Sequence, residues 1–68
     1  MKPLVYWKRV NEVWRLQVGE RRYVATVWDN GTWHTWNRNN CGGENAQEKT
    51  VELAKIEAAA SAIAQGFI

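Results

Sequence analysis

Two stretches of the chain alternate apolar and polar residues with period two: residues 12–18 read EVWRLQV and residues 22–28 read RYVATVW. Both are rich in β-branched and aromatic side chains, so both are expected as half-buried strands. Gly19-Glu20 between them suits a turn that begins at positive φ. Asp29-Asn30-Gly31 holds a stronger hairpin signal, because Asn-Gly tolerates positive φ at both central positions. Residues 32–37 then return as a third strand. Residues 4–8 also have strand composition, yet only Asn11 marks a break before the next strand. A fourth strand and an extended leader both stay open at this level.

With two-residue turns at both sites, Trp28 lies opposite Trp33, Val27 opposite His34, Thr26 opposite Thr35 and Ala25 opposite Trp36. In the first hairpin Leu16 meets Tyr23, Arg15 meets Val24 and Trp14 meets Ala25. One face then shows Trp14, Leu16, Val18, Tyr23, Ala25, Val27, His34 and Trp36. The other shows Val13, Arg15, Gln17, Val24, Thr26, Trp28, Trp33 and Thr35. The first is the more apolar and is expected to form the core. Because side chains alternate with period two, a turn of odd length would exchange the faces of one strand against the next.

Past residue 45 the pattern changes to helix, with seven alanines and neither proline nor glycine in residues 46–65. Asn45 suits an N-cap with Glu48 closing a capping box, Gly42-Gly43 gives a flexible approach, and Gly66 stands where a left-handed C-terminal cap is expected. Leu53, Ile56, Ala60, Ile63 and Ala64 make one stripe at helical spacing, expected to face the sheet, with Glu48, Glu52, Lys55 and Ala59 turned to water. Val51, Ala54, Ala58 and Ala62 make a second, weaker stripe. It reads as a half-covered helix boundary or, alternatively, as a helix-to-helix dimer contact. The pattern predicts an α+β fold: a three-stranded antiparallel meander, with a fourth N-terminal strand left open, and one long C-terminal helix on one face. Residues 1–68 read as a single domain, with sheet over 4–37, loop over 38–44 and helix over 45–65.

Composition sharpens this picture. All five tryptophans, Trp7, Trp14, Trp28, Trp33 and Trp36, fall in the first 36 of 68 residues, so large side chains come from the sheet and small ones from the helix. Each aromatic buries ~150–250 Å², and a chain this short hides only about 60% of its unfolded surface; some indole should stay outside. The single cysteine, Cys41, rules out an internal disulfide and suits a reducing cytoplasm. The start of the chain, with Lys2, Lys8 and Arg9 around a short apolar run, reads neither as a secretion signal nor as a membrane span. The expected location is cytoplasmic, with no membrane partner. Residues 1–40 hold seven cations against three acids, a balance of +4, and the rest of the chain two cations against four acids, a balance of −2. Attraction for an anion therefore belongs to the sheet.

One cysteine and one histidine are too few for a structural metal site, and no acidic cluster has loop-ligand spacing. Nucleophilic chemistry would require Cys41 to meet His34, but Cys41 sits in a polar loop of residues 39–43 with no oxyanion site. Gly42-Gly43 ahead of a helix suits a phosphate, which Glu44 and Glu48 would repel. The expectation is a protein that is not an enzyme and holds no metal or cofactor. The constellation left is Arg15, Gln17, Arg22, Trp28, Trp33 and Thr35 on the uncovered sheet face, since Arg with rigid aromatics is the mix of interface hot spots. The same mix stacks on unpaired bases, with Arg15, Arg21, Arg22 and Arg38 as candidate phosphate contacts. A competing reading is that a cross-strand Trp pair only stabilises its hairpin.

The succession Trp14-Arg15, YVATV over residues 23–27, Gly31-Thr32-Trp33, Trp36, Gly43 and a helix over 46–65 resembles the short strand-strand-strand-helix proteins common among phage and prophage reading frames. The likeness spans residues 12–65. In element order it is also similar to the arm-binding domain of tyrosine integrases, which lays a three-stranded sheet in the DNA major groove. Those domains carry denser Lys and Arg and a Phe-x-Thr, lysine-rich entry to the helix where this chain has Cys41-Gly42-Gly43-Glu44, so no residue role transfers. The leading expectation is a non-enzymatic, phage- or mobile-element-encoded module that docks on a host protein and modulates or inhibits it by occlusion. Nucleic-acid binding through the same face and a structural homodimer are the alternatives.

Overall fold

Asn11 and Glu12 both take left-handed backbone, φ 50° and 70°, the signature of a type I′ turn. That turn folds β1 (Val5–Val10) onto β2 (Val13–Val18), with Val10 opposite Val13 and Val5 opposite Val18. A computed structural model describes residues 4–36 and 43–68, and in it residues 5–8 belong to a strand and not to a leader. The chain continues through β3 (Arg22–Val27), β4 (Thr32–Thr35) and β5 (Asn45–Gln47) to one helix, α1 (Val51–Ala64). The strands form one antiparallel sheet in the order β1-β2-β3-β4-β5. The fold is thus an α+β meander with its C-terminal helix packed on one face, chiefly against β3 and β4.

Both remaining hairpins depart from the two-residue turns expected of them. The β3–β4 connection holds Asp29, Asn30 and Gly31. The Gly31 amide donates to Trp28 O at 3.0 Å, Trp28 N donates to Thr32 O at 2.8 Å, and Gly31 has φ +86°. This is a type I turn followed by a left-handed glycine, a three-residue loop. Val27 consequently pairs with Trp33 and Ala25 with Thr35, one step from the expected register, and every side chain of β4 exchanges faces. The β2–β3 connection is also odd, since Val18 meets Arg22 across Gly19, Glu20 and Arg21. Here a bulge intervenes: Gln17 pairs with Tyr23 but Leu16 with Ala25, leaving Val24 as the extra residue. Bulge and turn cancel for Ala25 and Val27, which stay in the core as expected, while Tyr23 is turned to the other face.

The core holds Leu16, Val18, Val24, Ala25, Val27, Trp33, Ala54, Ala58, Ala62 and Phe67, with Trp7 and Trp14 packed against it. The helix is therefore turned roughly half a revolution from expectation. Ala54, Ala58 and Ala62 are fully buried, whereas Ile56 and Ile63 are 64% and 63% exposed and Leu53 37%. A sheet already lined with indole leaves little depth above it, and alanine lets α1 approach where leucine would overpack. The helix also begins later than expected, at Val51. Thr50 is its N-cap and accepts from Leu53 N at 3.1 Å, while Asn45, the anticipated cap, lies in β5. At the far end Gly66 has φ +79°, Gly66 N donates to Ile63 O and Phe67 N to Ala62 O. This Schellman arrangement folds Phe67 back into the core.

Polar groups pin the layers. The Trp33 indole N–H donates to Glu48 Oε2 at 3.0 Å, which gives a buried donor its acceptor. Thr35 Oγ1 accepts from Glu44 N at 2.9 Å and from Gln65 Nε2 at 3.0 Å; Ser61, on the buried side of α1, donates to Glu44 Oε1. Gly31 lies so close to Glu48, the residue after β5, that a Cβ there would sit 2.2 Å from Glu48 O. In the same loop the Asp29 carboxylate accepts two hydrogen bonds, 2.8 and 3.0 Å, from Arg9. Those bonds hold Asp29 below the usual carboxylate range and raise Arg9. Both groups are exposed, so the pair is screened and adds little to stability. What it adds is present above the ordinary carboxylate pKa and fades as pH falls through the depressed value.

Two outcomes follow from the turns. Glu12→Gly should stabilise the protein by roughly 1 kcal/mol, because glycine takes the left-handed backbone without the Cβ penalty; urea unfolding of the two proteins measures it. In a carboxyl NMR titration, Asp29 should deprotonate at lower pH than ordinary aspartate, and Arg9→Gln should return it to the ordinary range.

Candidate functional site: the outer face of the sheet

Among the described residues no element covers the sheet face turned away from α1, and strand register decides what it shows. One row across the strands reads Tyr6, Gln17, Tyr23, the next Lys8, Arg15, Thr26, His34, Asn45. Trp28, one residue past the buried Val27, lies on the same side and is 40% exposed. Trp36 closes the first row, its ring meeting that of Tyr23 edge-on with centroids 6.0 Å apart. The Arg15 guanidinium lies over the Tyr23 ring, 4.4 Å from its centroid.

That stacking has a cost. Arg15 Nε is buried and has no hydrogen-bond acceptor, which typically costs about 1–3 kcal/mol. A cation–π contact returns ~0.5–2 kcal/mol of it. The result is a guanidinium held over an aromatic ring on β2 and β3, with Lys8 beside it across β1 and β2. No carboxylate shares these rows. Glu12, Glu20 and Asp29 sit in turns, Glu44 and Glu48 bond to the helix side, and Glu52 and Glu57 belong to α1. Beside the β2–β3 turn a cleft lined by Gly19, Glu20, Arg21, Tyr23 and Trp36, among others, continues the face.

The residues expected to bind are divided by the two-layer structure. Arg15, Gln17 and Trp28 are on the outer face, although Gln17 is only 8% exposed and its amide is turned to Gly19 O. Trp33 is not: the odd β3–β4 loop carries it into the core at 6% exposure. Thr35 goes with it and is fully buried among Glu44, Ser61 and Gln65. Arg22 pairs with Val18 on the helix side and donates to Phe67 O at 3.3 Å. Of the candidate phosphate contacts, Arg21 is exposed in its turn and Arg38 lies outside the described residues, as does Cys41. The expected Trp28–Trp33 platform therefore does not form. Tyr6, Lys8, Tyr23, His34 and Trp36 take its place; the alternation of β1, once its type I′ turn is recognised, finds Tyr6 and Lys8, whereas Tyr23, His34 and Trp36 reach this face through the β2–β3 bulge and the three-residue β3–β4 loop.

Among the described residues no three His, Cys, Asp or Glu side chains come together as a metal site, and no helix is long and apolar enough to cross a membrane. No protein-family model matches the chain, and neither a curated protein nor a solved structure shows significant similarity to it.

The unsatisfied Nε sets a specific expectation. Arg15→Met, which keeps the length and removes the orphaned donor, should leave stability unchanged or raise it by about 1 kcal/mol. A fall of more than about 1 kcal/mol in urea unfolding would instead make Arg15 a structural residue.

Proposed function

We propose that this protein is a non-enzymatic docking module that grips another protein with the outer face of its sheet and modulates that partner by covering it. The observation that carries the reading is Arg15, held over the Tyr23 ring at the cost of a buried, unpartnered donor. A fold that bears such a cost at the centre of an uncovered sheet supports a working surface there. Around it Tyr6, Tyr23, Trp28 and Trp36 supply aromatic area on short side chains, the composition that dominates interface energetics. The same proposal takes the location as cytoplasmic. It takes the role as that of a phage or mobile-element accessory protein, on the likeness in element order described above.

One feature favours a second reading, nucleic acid. The rows hold Lys8 and Arg15 and no carboxylate, so bases stacking on the aromatics would meet no repulsion of their phosphates. Two strand cations and a net charge of +2 are a sparse provision for a polyanion, and the protein partner is preferred.

The test is subtractive. Proteins retained by the immobilised wild type should be lost with Arg15→Glu/Trp28→Ser and kept with a control altered on the opposite layer, Glu52→Gln in α1, all three showing the same circular dichroism. Equal retention by all three refutes the docking face. A labelled single-stranded oligonucleotide titrated at two salt concentrations tests the second reading: micromolar binding that weakens steeply with salt replaces protein by nucleic acid as the partner.

A further inference from the structure

We infer that the outer sheet face of one copy receives the outer flank of α1 from a second copy, so that molecules stack head to tail, helix upon sheet. The inference rests on the outer sheet face being a docking surface, and it names the occupant.

The first observation is the flank itself. Leu53, Ile56 and Ile63 project from α1 into solvent, with Ala60 between them. A helix that buries its alanines and exposes its branched aliphatics has spent its small side chains on one neighbour and offers large ones to another. The second is charge. α1 carries three charged residues, and the cation among them, Lys55, is drawn inward to 3.5 Å from the Trp14 ring centroid. Glu52 and Glu57 are left exposed, one on each margin of the aliphatic stripe. The stripe is thus apolar with an acidic border. The outer sheet face is its complement, aromatic with Lys8 and Arg15 in its central row and Arg21 at its end.

Size agrees as well. Fourteen helical residues extend about 21 Å at 1.5 Å each, and five strands spaced ~4.8 Å apart span roughly 20–24 Å. One helix is therefore about as long as one sheet is wide. The alternative use of the flank, helix against helix about a two-fold axis, brings Glu57 of each copy near its equivalent. It also relies on three large side chains a side, well short of the ~800 Å² per partner of a stable interface. Helix on sheet removes the like-charge contact and adds the aromatic rows to the buried area. Because the two surfaces differ, the contact does not close on itself, and each bound copy offers a free end to the next.

The experiment uses the full chain and two single-sided variants, each changed only at residues outside the core. Ile56→Lys/Ile63→Lys spoils the helix flank and keeps the sheet; Lys8→Glu/Arg15→Glu spoils the sheet and keeps the flank. In sedimentation the wild type should gain mass from micromolar to millimolar concentration without stopping at a dimer, and rising salt should shift half-association upward at least tenfold. Each variant alone should remain monomeric, and their equimolar mixture should form a one-to-one dimer and nothing larger, because one intact contact remains. A wild type that stays monomeric to millimolar concentration overturns the inference, as does a mixture that stays monomeric. A dimer formed by the sheet variant alone overturns it in favour of helix pairing. If the wild type is monomeric yet the subtractive capture still depends on Arg15 and Trp28, the docking face stands with a different occupant; if capture is also indifferent, the docking face itself falls.

Discussion

The shallow gap between α1 and an indole-lined sheet governs most of this structure. Trp7, Trp14 and Trp33 together with Leu16 and Val27 fill the inner face, and three alanines on successive turns are what fits above them. Helix orientation is decided there by volume and not by total hydrophobicity. Turning Leu53, Ile56 and Ile63 inward would bury more apolar area, at about 25 cal/mol per Å². It would also force the helix outward, breaking the contacts of Ser61 and Gln65 with Thr35 and Glu44. Close packing of small groups, with its hydrogen bonds intact, wins over the larger transfer term.

What the amino-acid pattern reveals, and what it hides, follows from how far each feature depends on its own neighbours. The Gly66 cap is legible because its requirement is local: a positive φ just past a helix, closed by two backbone bonds. The assignment of Trp14, Leu16 and Val18 to the core is legible for the same reason, since one strand's alternation needs no partner. The faces of β4 are not. Asn30-Gly31 serves a two-residue turn and a three-residue loop equally well by composition. The choice between them rests on a contact remote in sequence, the close approach of Gly31 to Glu48, whose amide donates to Gly31 O at 2.9 Å. That contact requires β5, and β5, three exposed residues with no apolar alternation, leaves no periodic trace.

The buried stripe of α1 is hidden from the pattern for a related reason. Hydrophobic periodicity ranks faces by apolar content, and on that ranking Leu53, Ile56 and Ile63 outweigh Val51, Ala54, Ala58 and Ala62. Ser61 argues the other way, because it stands on the alanine side and has a use there only if Thr35 faces it. Phe67, buried in the core, leaves no such signal because it lies beyond the cap, where helical spacing no longer applies. The candidate site follows strand register alone: Trp33, Thr35 and Arg22 leave it through parity, while Arg15, Gln17 and Trp28 keep the side that their own alternation assigns.

A fold of two layers has two outer surfaces, and here they differ in sign and in shape. The sheet's is broad, aromatic and cationic; the helix's is a narrow aliphatic ridge between carboxylates. Either would be ordinary alone, since isolated apolar side chains are common on protein surfaces. Their pairing in one small molecule is less so, because Lys55 is withdrawn onto Trp14 and the carboxylates gather on the helix side. The indoles that force α1 to show its alanines inward also capture the helix's one cation. The packing of the core and the polarity of the exterior are consequently a single arrangement, in which the aromatic inner face determines what the outer flank presents.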